Sequence, residues 1–352
     1  MMEGMIKLAN GVTYTGHWHG EKTECHGEMI FYTGMGNFIE FISDPAIKGK
    51  IVLATYPSIL NSFMDKEKLE SEDIQLAGLV IQQEYGEASL SVEKWLSVFK
   101  EKYIPVMTGM DTRSIIKQLL KEGETFVSMR ANEVIITNQA KSRKLMMSSP
   151  VHKTVNSNGK THIVVMDFAL KNSLIKWLLE SGYKITIVPA QTTAADIKKI
   201  NPDGVVFSGG TGNPSNWKAF FPEYLKIAKE YPTIGFGLGH QILAKAFGVH
   251  IKKMKWGHRS FKHPIMHMET NEVYMSNQNH GYEVSEDGLE SAGFNISFQS
   301  IQDRSIEGLS HNNYPIATYQ FHPDGKNQKL ETIIKYAFST QLKQAKGENI
   351  YA

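Results

Sequence analysis

Four stretches of this sequence hold residues whose types and spacing suit chemistry on an amide. The first is "GFGLGHQ", Gly235 to Gln241. It has the form of a nucleophile elbow, a sharp strand-to-helix turn that strains its middle residue and exposes it at the helix N-terminus. Backbone N–H groups at such a turn can stabilise an oxyanion. The middle residue is Gly237, which offers no attacking atom. The third glycine of a dinucleotide fingerprint would fall at His240, so that motif is excluded. The second stretch, "FSGGTGNPSN", follows a strand, and its glycine N–H groups suit an anion or an amino-acid ligand. The third, "NQNHGYEV", Asn277 to Val284, sets polar groups and a glycine between strands. In the fourth, "YQFHPDGK", His322 ends an apolar strand and Asp324 follows two residues later. A base and its orienting carboxylate are the partners that a cysteine nucleophile needs. Taken singly, each stretch also reads as an ordinary turn.

The elements around these stretches alternate between strand and helix. "HIVVMDF", "KITIVPA", "DGVVFSGG" and "TIGFG" read as short apolar strands. Between and after them, "NSLIKWLLESG", "TAADIKKI", "NWKAFFPEYLKIAKEY" and "GHQILAKAFG" read as amphipathic helices, with Thr193 and Asp196 placed like a capping box. The last helix puts Leu330, Ile333, Ile334, Ala337 and Phe338 on one face. This alternation predicts a doubly wound, mainly parallel sheet covered on both faces. Sites in such sheets lie at the carboxyl ends of the strands.

The first part of the chain is mixed α/β and strand-rich. Asn10-Gly11 predicts a hairpin with a type I′ turn. "GEMIFYT", "KIVLATY" and "IQLAGLVIQ" are further strand candidates. "SVEKWLSVFKEK" predicts a helix capped by Ser91, and "DTRSIIKQLLKEG" one capped by Asp111 and stopped by Gly123. A polar, basic stretch then separates the halves. The expected domains are 1–138 and 162–345, with 139–161 as their connection.

With 38 basic against 36 acidic residues, net charge is +2, which gives no reason to expect nucleic acid or an anionic membrane as partner. No apolar run reaches membrane-spanning length, and the N-terminal stretch lacks a signal-peptide core, so a cytoplasmic protein is expected. The single cysteine, Cys25, sits in "KTECHGE", read as a polar loop, and is expected to be a bystander. His17 and His19 lack acidic or cysteine partners at ligand spacing, so no metal is expected.

From the N-terminus to about position 324 the chain resembles the small, glutamine-hydrolysing subunit of carbamoyl phosphate synthetase. "SDPAIKGKIVLATYP", "MDTRSI", "KITIVPAQTTAADIKKINPDGVVFS", "GLGHQILAKAFG", "KMKWGH", "HP" at His263-Pro264 and "QNHGYEV" carry the likeness in order. The resemblance implies an N-terminal domain peculiar to this subunit, followed by a class I glutamine amidotransferase domain. It also implies a large partner subunit that takes ammonia and uses ATP and bicarbonate to make carbamoyl phosphate for arginine or pyrimidine biosynthesis. No P-loop and no cofactor is expected in this chain itself.

Carried over position by position, the likeness implies a site with gaps. Gly237 stands where the family has its cysteine nucleophile, and His322 matches the base. Asp324 replaces a glutamate. Leu238 and Gly210 match the positions whose N–H groups form the oxyanion hole. Gln241, Asn279, Gly281 and Tyr282 match positions that bind glutamine, with Tyr282 replacing a usual phenylalanine, and Gly212 also matches. Ala46 stands where a serine contacts the substrate. "SGGTGNP" replaces the usual serine-asparagine-glycine-proline-glycine-aspartate-proline. Amide hydrolysis in this family runs through a thioester, which glycine has no atom to form. Two readings follow. In one, the chain is a synthetase subunit whose own glutaminase step is lost or impaired. In the other, it is a non-catalytic scaffold or regulator that keeps the fold.

Overall fold

The computed structural model describes residues 2–61, 65–82, 90–132, 153–156, 158–324 and 326–347. Most of the expected connection, 139–152 with 157, lies outside them. The chain divides into two units, Met1–Leu145 with Lys255–Ser260, and Met146–Met254 with Phe261–Ala352.

Among the described residues the first unit has seven strands: β1 Met2–Leu8, β2 Thr13–His19, β3 Glu24–Tyr32, β4 Ile51–Ala54, β5 Gly78–Ile81, β6 Val106–Thr108 and β7 Thr125–Ala131. They close into a barrel in the order β1-β2-β6-β5-β4-β3-β7. Closure removes the open edges that a strand-rich unit would otherwise expose. The helices are α1 Phe38–Ser43, α2 Leu90–Glu101 and α3 Thr112–Glu122. Ile6, Met29, Leu53, Val80, Met107 and Val127 fill the barrel core, and α3 adds Ile115 and Leu119.

Three expectations are corrected here. The β1–β2 turn is not type I′: Gly11 has φ 89° and Asn10 has no positive φ. Gly11 N–H donates to Leu8 C=O at 2.9 Å and Leu8 N–H to Val12 C=O at 2.8 Å, a three-residue loop with its glycine in the left-handed position. Ser91 is not a cap, because α2 already starts at Leu90 and the Ser91 hydroxyl donates to Leu60 C=O at 2.9 Å. Cys25 lies on β3 rather than in a loop, half-buried against the barrel core, and burial pushes its thiol up to about 12. A thiol held so far from ionisation is unreactive, in keeping with a bystander. Asp111 does cap α3, accepting Ser114 N–H at 3.0 Å, and Gly123 ends it with φ 96°.

Among the described residues the second unit has a sheet of ten strands: β8 Lys153–Val155, β9 His162–Asp167, β10 Lys184–Pro189, β11 Gly204–Phe207, β12 Thr233–Phe236, β13 Ile251–His267, β14 Val273–Val284, β15 Phe294–Ser300, β16 Ile306–His311 and β17 Ile316–Tyr319. Their order is β14-β13-β15-β16-β17-β12-β11-β9-β10-β8. The run β10-β9-β11-β12-β17 is parallel. Strand β16 pairs antiparallel with β17 at the edge of that run, β15 antiparallel with β16, and β13 antiparallel with β15. The helices are α4 Asn172–Glu180, α5 Ala194–Ile200, α6 Phe221–Glu230, α7 Leu238–Ala246, α8 Leu289–Ala292 and α9 Gln328–Ala345. Both faces of the sheet are covered, as the alternation predicts. Ile197, Ile227 and Leu243 of α5, α6 and α7 pack with Val205 and Phe207. Leu174, Ile334 and Phe338 of α4 and α9 pack with Val165, Val206 and Phe236.

The helix expected from "NWKAFFPEYLKIAKEY" is split. Its first part lies in a 3₁₀ stretch, Pro214–Phe220, and α6 starts beside Pro222. Proline has no N–H to give an α-helical interior and is tolerated in a first turn, which sets the break. "NQNHGYEV" lies within β14 rather than between strands. His322 lies beyond the end of β17, bridged to Asn277. Among the described residues no helix is long and apolar enough to cross a membrane.

Candidate functional site

The four stretches fall at the carboxyl ends of parallel strands or on β14 beside them. Strand β12 is fully buried and runs straight into Gly237, with α7 starting at the next residue. Gly237 has φ 51° and ψ −110°. A side chain holds that conformation only under strain, whereas glycine adopts it freely. The turn therefore has an elbow's backbone without a side chain on it. Gly237 N–H donates to Tyr319 C=O at 2.9 Å and Gly239 N–H to Ser208 C=O at 3.1 Å, which fastens the turn to the strand ends on either side. A Cβ on Gly239 would run into the backbone of Phe207, and one on Gly235 would stand 2.8 Å from Leu243 Cδ1. Helix and strand meet this closely only because both residues are glycine.

No side chain caps α7. Among the described residues, neither Leu238 N–H nor Gly210 N–H donates to a protein acceptor. The two residues are neighbours, since a Cβ on Gly210 would lie 3.0 Å from Leu238 Cδ2. Open N–H groups at a helix N-terminus favour negative charge. Gly212, two residues on, has φ 97° and open space around it.

The His322 ring lies against this turn. It is buried, stacks at 28° on Phe236 with centroids 6.2 Å apart, and its Nε2 makes no hydrogen bond. Burial first, then Lys171 and His280, hold its pKa well below the usual histidine value. The ring is neutral at pH 7, the form a general base requires. Asp324 does not orient it. Its Oδ1 accepts Lys326 N–H at 3.1 Å, its Oδ2 lies 3.8 Å from Lys326 Nζ, and no hydrogen bond joins it to His322. A short acidic side chain next to a turn bonds its own backbone most readily, and Asp324 does so here.

Gln241 is buried in α7, and its Nε2 donates to Tyr282 C=O at 3.0 Å and to Gln320 Oε1 at 2.9 Å. Strand alternation puts Asn279 and Gly281 on one face of β14 and Gln278, His280 and Tyr282 on the other. Ala46 belongs to the first unit, in a 3₁₀ turn, Pro45–Ile47, where its N–H donates to Asp44 Oδ1 at 2.9 Å.

Some residues near the site carry no sequence signal of their own. Lys171 is buried at the N-cap of α4. Ala169 has φ 98°, a costly conformation for a residue with a Cβ, and Asp167 Oδ1 holds the turn by accepting Ala169 N–H and Leu170 N–H, each at 2.9 Å. His240 is fully buried, with Nδ1 2.8 Å from Thr318 Oγ1, and burial lowers its pKa to about 4 against a partial offset from Glu307. Glu307 is itself buried and accepts Gln278 Nε2–H at 2.6 Å and Ser305 Oγ–H at 2.9 Å. Polar residues at alternate positions of β14 are the one trace of this network in the sequence.

The second unit is thus a doubly wound sheet with an elbow between a central strand and a helix, and a histidine beside that elbow. Residues 164–339 match the class-I glutamine amidotransferase family, and residues 6–129 match the carbamoyl-phosphate synthase small chain, CPSase domain. The chain is 36% identical over 334 residues to the carbamoyl phosphate synthase arginine-specific small chain of Halalkalibacterium halodurans, covering 92% of each. It is 33% identical over 349 residues to the arginine-specific small chain of Bacillus subtilis, covering 97% of each. Against the pyrimidine-specific small chain of Lactiplantibacillus plantarum it is 32% identical over 331 residues, covering 92% of this chain and 91% of that one. The chain belongs to the carbamoyl phosphate synthase small chain family.

Proposed function

We propose that the chain acts as the small subunit of a carbamoyl phosphate synthetase in which the glutamine site keeps its shape and its thioester chemistry is lost. In a complete site, a thiolate at the elbow attacks the glutamine amide carbon, ammonia leaves, and water releases glutamate from the thioester. Gly237 provides no sulfur for the first step. The oxyanion donors Leu238 N–H and Gly210 N–H, the base His322, and Gln241, Asn279, Gly281, Tyr282 and Gly212 around the substrate are assigned from the family's positions. Asp324, bonded to its own turn, leaves His322 without an orienting carboxylate. The partner is a large subunit that uses ATP and bicarbonate, and free ammonia rather than glutamine nitrogen supplies the reaction.

The observation that carries this reading is the elbow backbone at Gly237, with φ 51°, ψ −110° and no atom beyond Cα to react. The test is reconstitution with the large subunit from the same source. Carbamoyl phosphate is expected from ammonium and bicarbonate, and not from glutamine. Equal synthesis from glutamine would refute the lost step. Separate elution of the two chains at micromolar concentration would refute the subunit assignment and leave the scaffold reading.

A further inference from the structure

The slot that holds the His322 ring is framed by two positions without side chains. A Cβ on Gly237 would stand 2.6 Å from His322 Cε1 and 3.1 Å from Nε2. A Cβ on Gly209 would overlap Nε2 outright and stand 2.9 Å from Cε1 and 3.3 Å from Cδ2. The Gly237 Cβ would also lie 3.5 Å from Gly209 Cα, so both glycines face the same small volume, and the Cε1–Nε2 edge of the ring fills it. Close-packed interiors do not absorb such overlaps without a shift of the neighbour. The Nε2 atom at the bottom of the slot is buried and makes no hydrogen bond.

We propose that Gly209 positions the His322 ring in this chain: with Gly237 it opens a seat that the asparagine and cysteine of the usual pattern would close, and a side chain at position 209 evicts the ring from that seat even when Gly237 is unchanged. The proposal rests on the reading of His322 as the site's base for its meaning, though its steric content stands alone. It makes the loss of the nucleophile and the placement of the base one coupled state. A thiol introduced at 237 meets a parked ring, and position 209 decides how far that ring moves. Gly209 does not have a positive φ. Alanine there therefore meets the ring rather than backbone strain.

Histidine-labelled full-length chain, titrated by NMR, tests this. In Gly209→Ala the midpoint of His322 is expected to rise by about one pH unit or more, a tenfold change in protonation at fixed pH. The ring then leaves the buried slot where Lys171 and His280 are its charged and titratable neighbours. Gly212→Ala is the control, since its φ of 97° adds loop strain with nothing within 4 Å to strike, and it should leave His322 unmoved. An unchanged His322 resonance and midpoint in Gly209→Ala would overturn the proposal. A second measurement covers poor folding: the stability lost on Gly209→Ala is compared in the His322 chain and in His322→Ala. The loss should largely vanish without the ring, and equal losses in both backgrounds would overturn the proposal. Neither readout uses turnover. A chain found to hydrolyse glutamine would defeat the proposed function and leave the seat standing.

Discussion

The turn from β6 into α3 and the turn from β12 into α7 both carry an apolar strand to a helix N-terminus. At α3 the chain closes that end with a side chain, Asp111 accepting Ser114 N–H at 3.0 Å. At α7 the cap position is Gly237, no side chain closes the end, and the backbone takes φ 51° and ψ −110°. Around α3 the buried helix residues are Thr112, Ile115 and Leu119, none of them titratable. Around α7 they include His240 and Gln241. A turn that only holds the fold together is built from the most favourable local choices. The α7 turn gives these up and is held by its neighbours, through Tyr319 C=O, Ser208 C=O and the close glycine contacts.

The contrast is sharpened most by Gly239→Ala. Its Cβ would strike the Phe207 backbone, which lies in the middle of the sheet and has nowhere to go. Overpacking against rigid backbone should cost about 3 kcal/mol or more. Denaturant unfolding checks this, and a cost below about 1 kcal/mol would show that the α7 turn is not held by close packing.

Acid should act on α7 through His240. Burial holds His240 near 4, below the ordinary histidine value of 6.5. As pH falls below 6.5 the unfolded chain takes up that proton first, so stability is full above 6.5 and is lost progressively down to about pH 4. Over the whole window the loss from this residue approaches about 3 kcal/mol. His240→Asn should flatten that part of the pH dependence of the unfolding midpoint. A profile of unchanged slope would mean that His240 is protonated inside the fold.

Asp111→Ala should have the smallest effect, about 1 kcal/mol, as for an ordinary N-cap. No corresponding loss can be taken from α7, whose cap position has no side chain to remove.

How much of this was legible in the sequence depended on whether the cause was local. Asp111 and Gly123 around α3, and Thr193 capping α5, are set by the residues themselves, and the sequence marks them directly. The parallel core followed from alternation of apolar strands and amphipathic helices. Barrel closure was not legible, because it depends on β1 meeting β7 across more than a hundred residues of chain. The 3₁₀ start before α6 was misread because apolar periodicity outweighed Pro222. At the site, the elbow was legible as a motif. The seating of His322 and the turning away of Asp324 were not. The first depends on two absent side chains from different strand ends, and the second on a competition between His322 and a nearby backbone N–H that spacing alone does not decide.

Ammonia release from glutamine by the purified, isolated chain is the most direct measurement. With no atom at position 237 to form a thioester, release should not exceed the uncatalysed background beyond the weak acceleration that binding and oxyanion donors can give. Turnover of about one per second or faster, within the range of common enzymes, would contradict it, because some group other than a residue at the elbow would then be doing the chemistry.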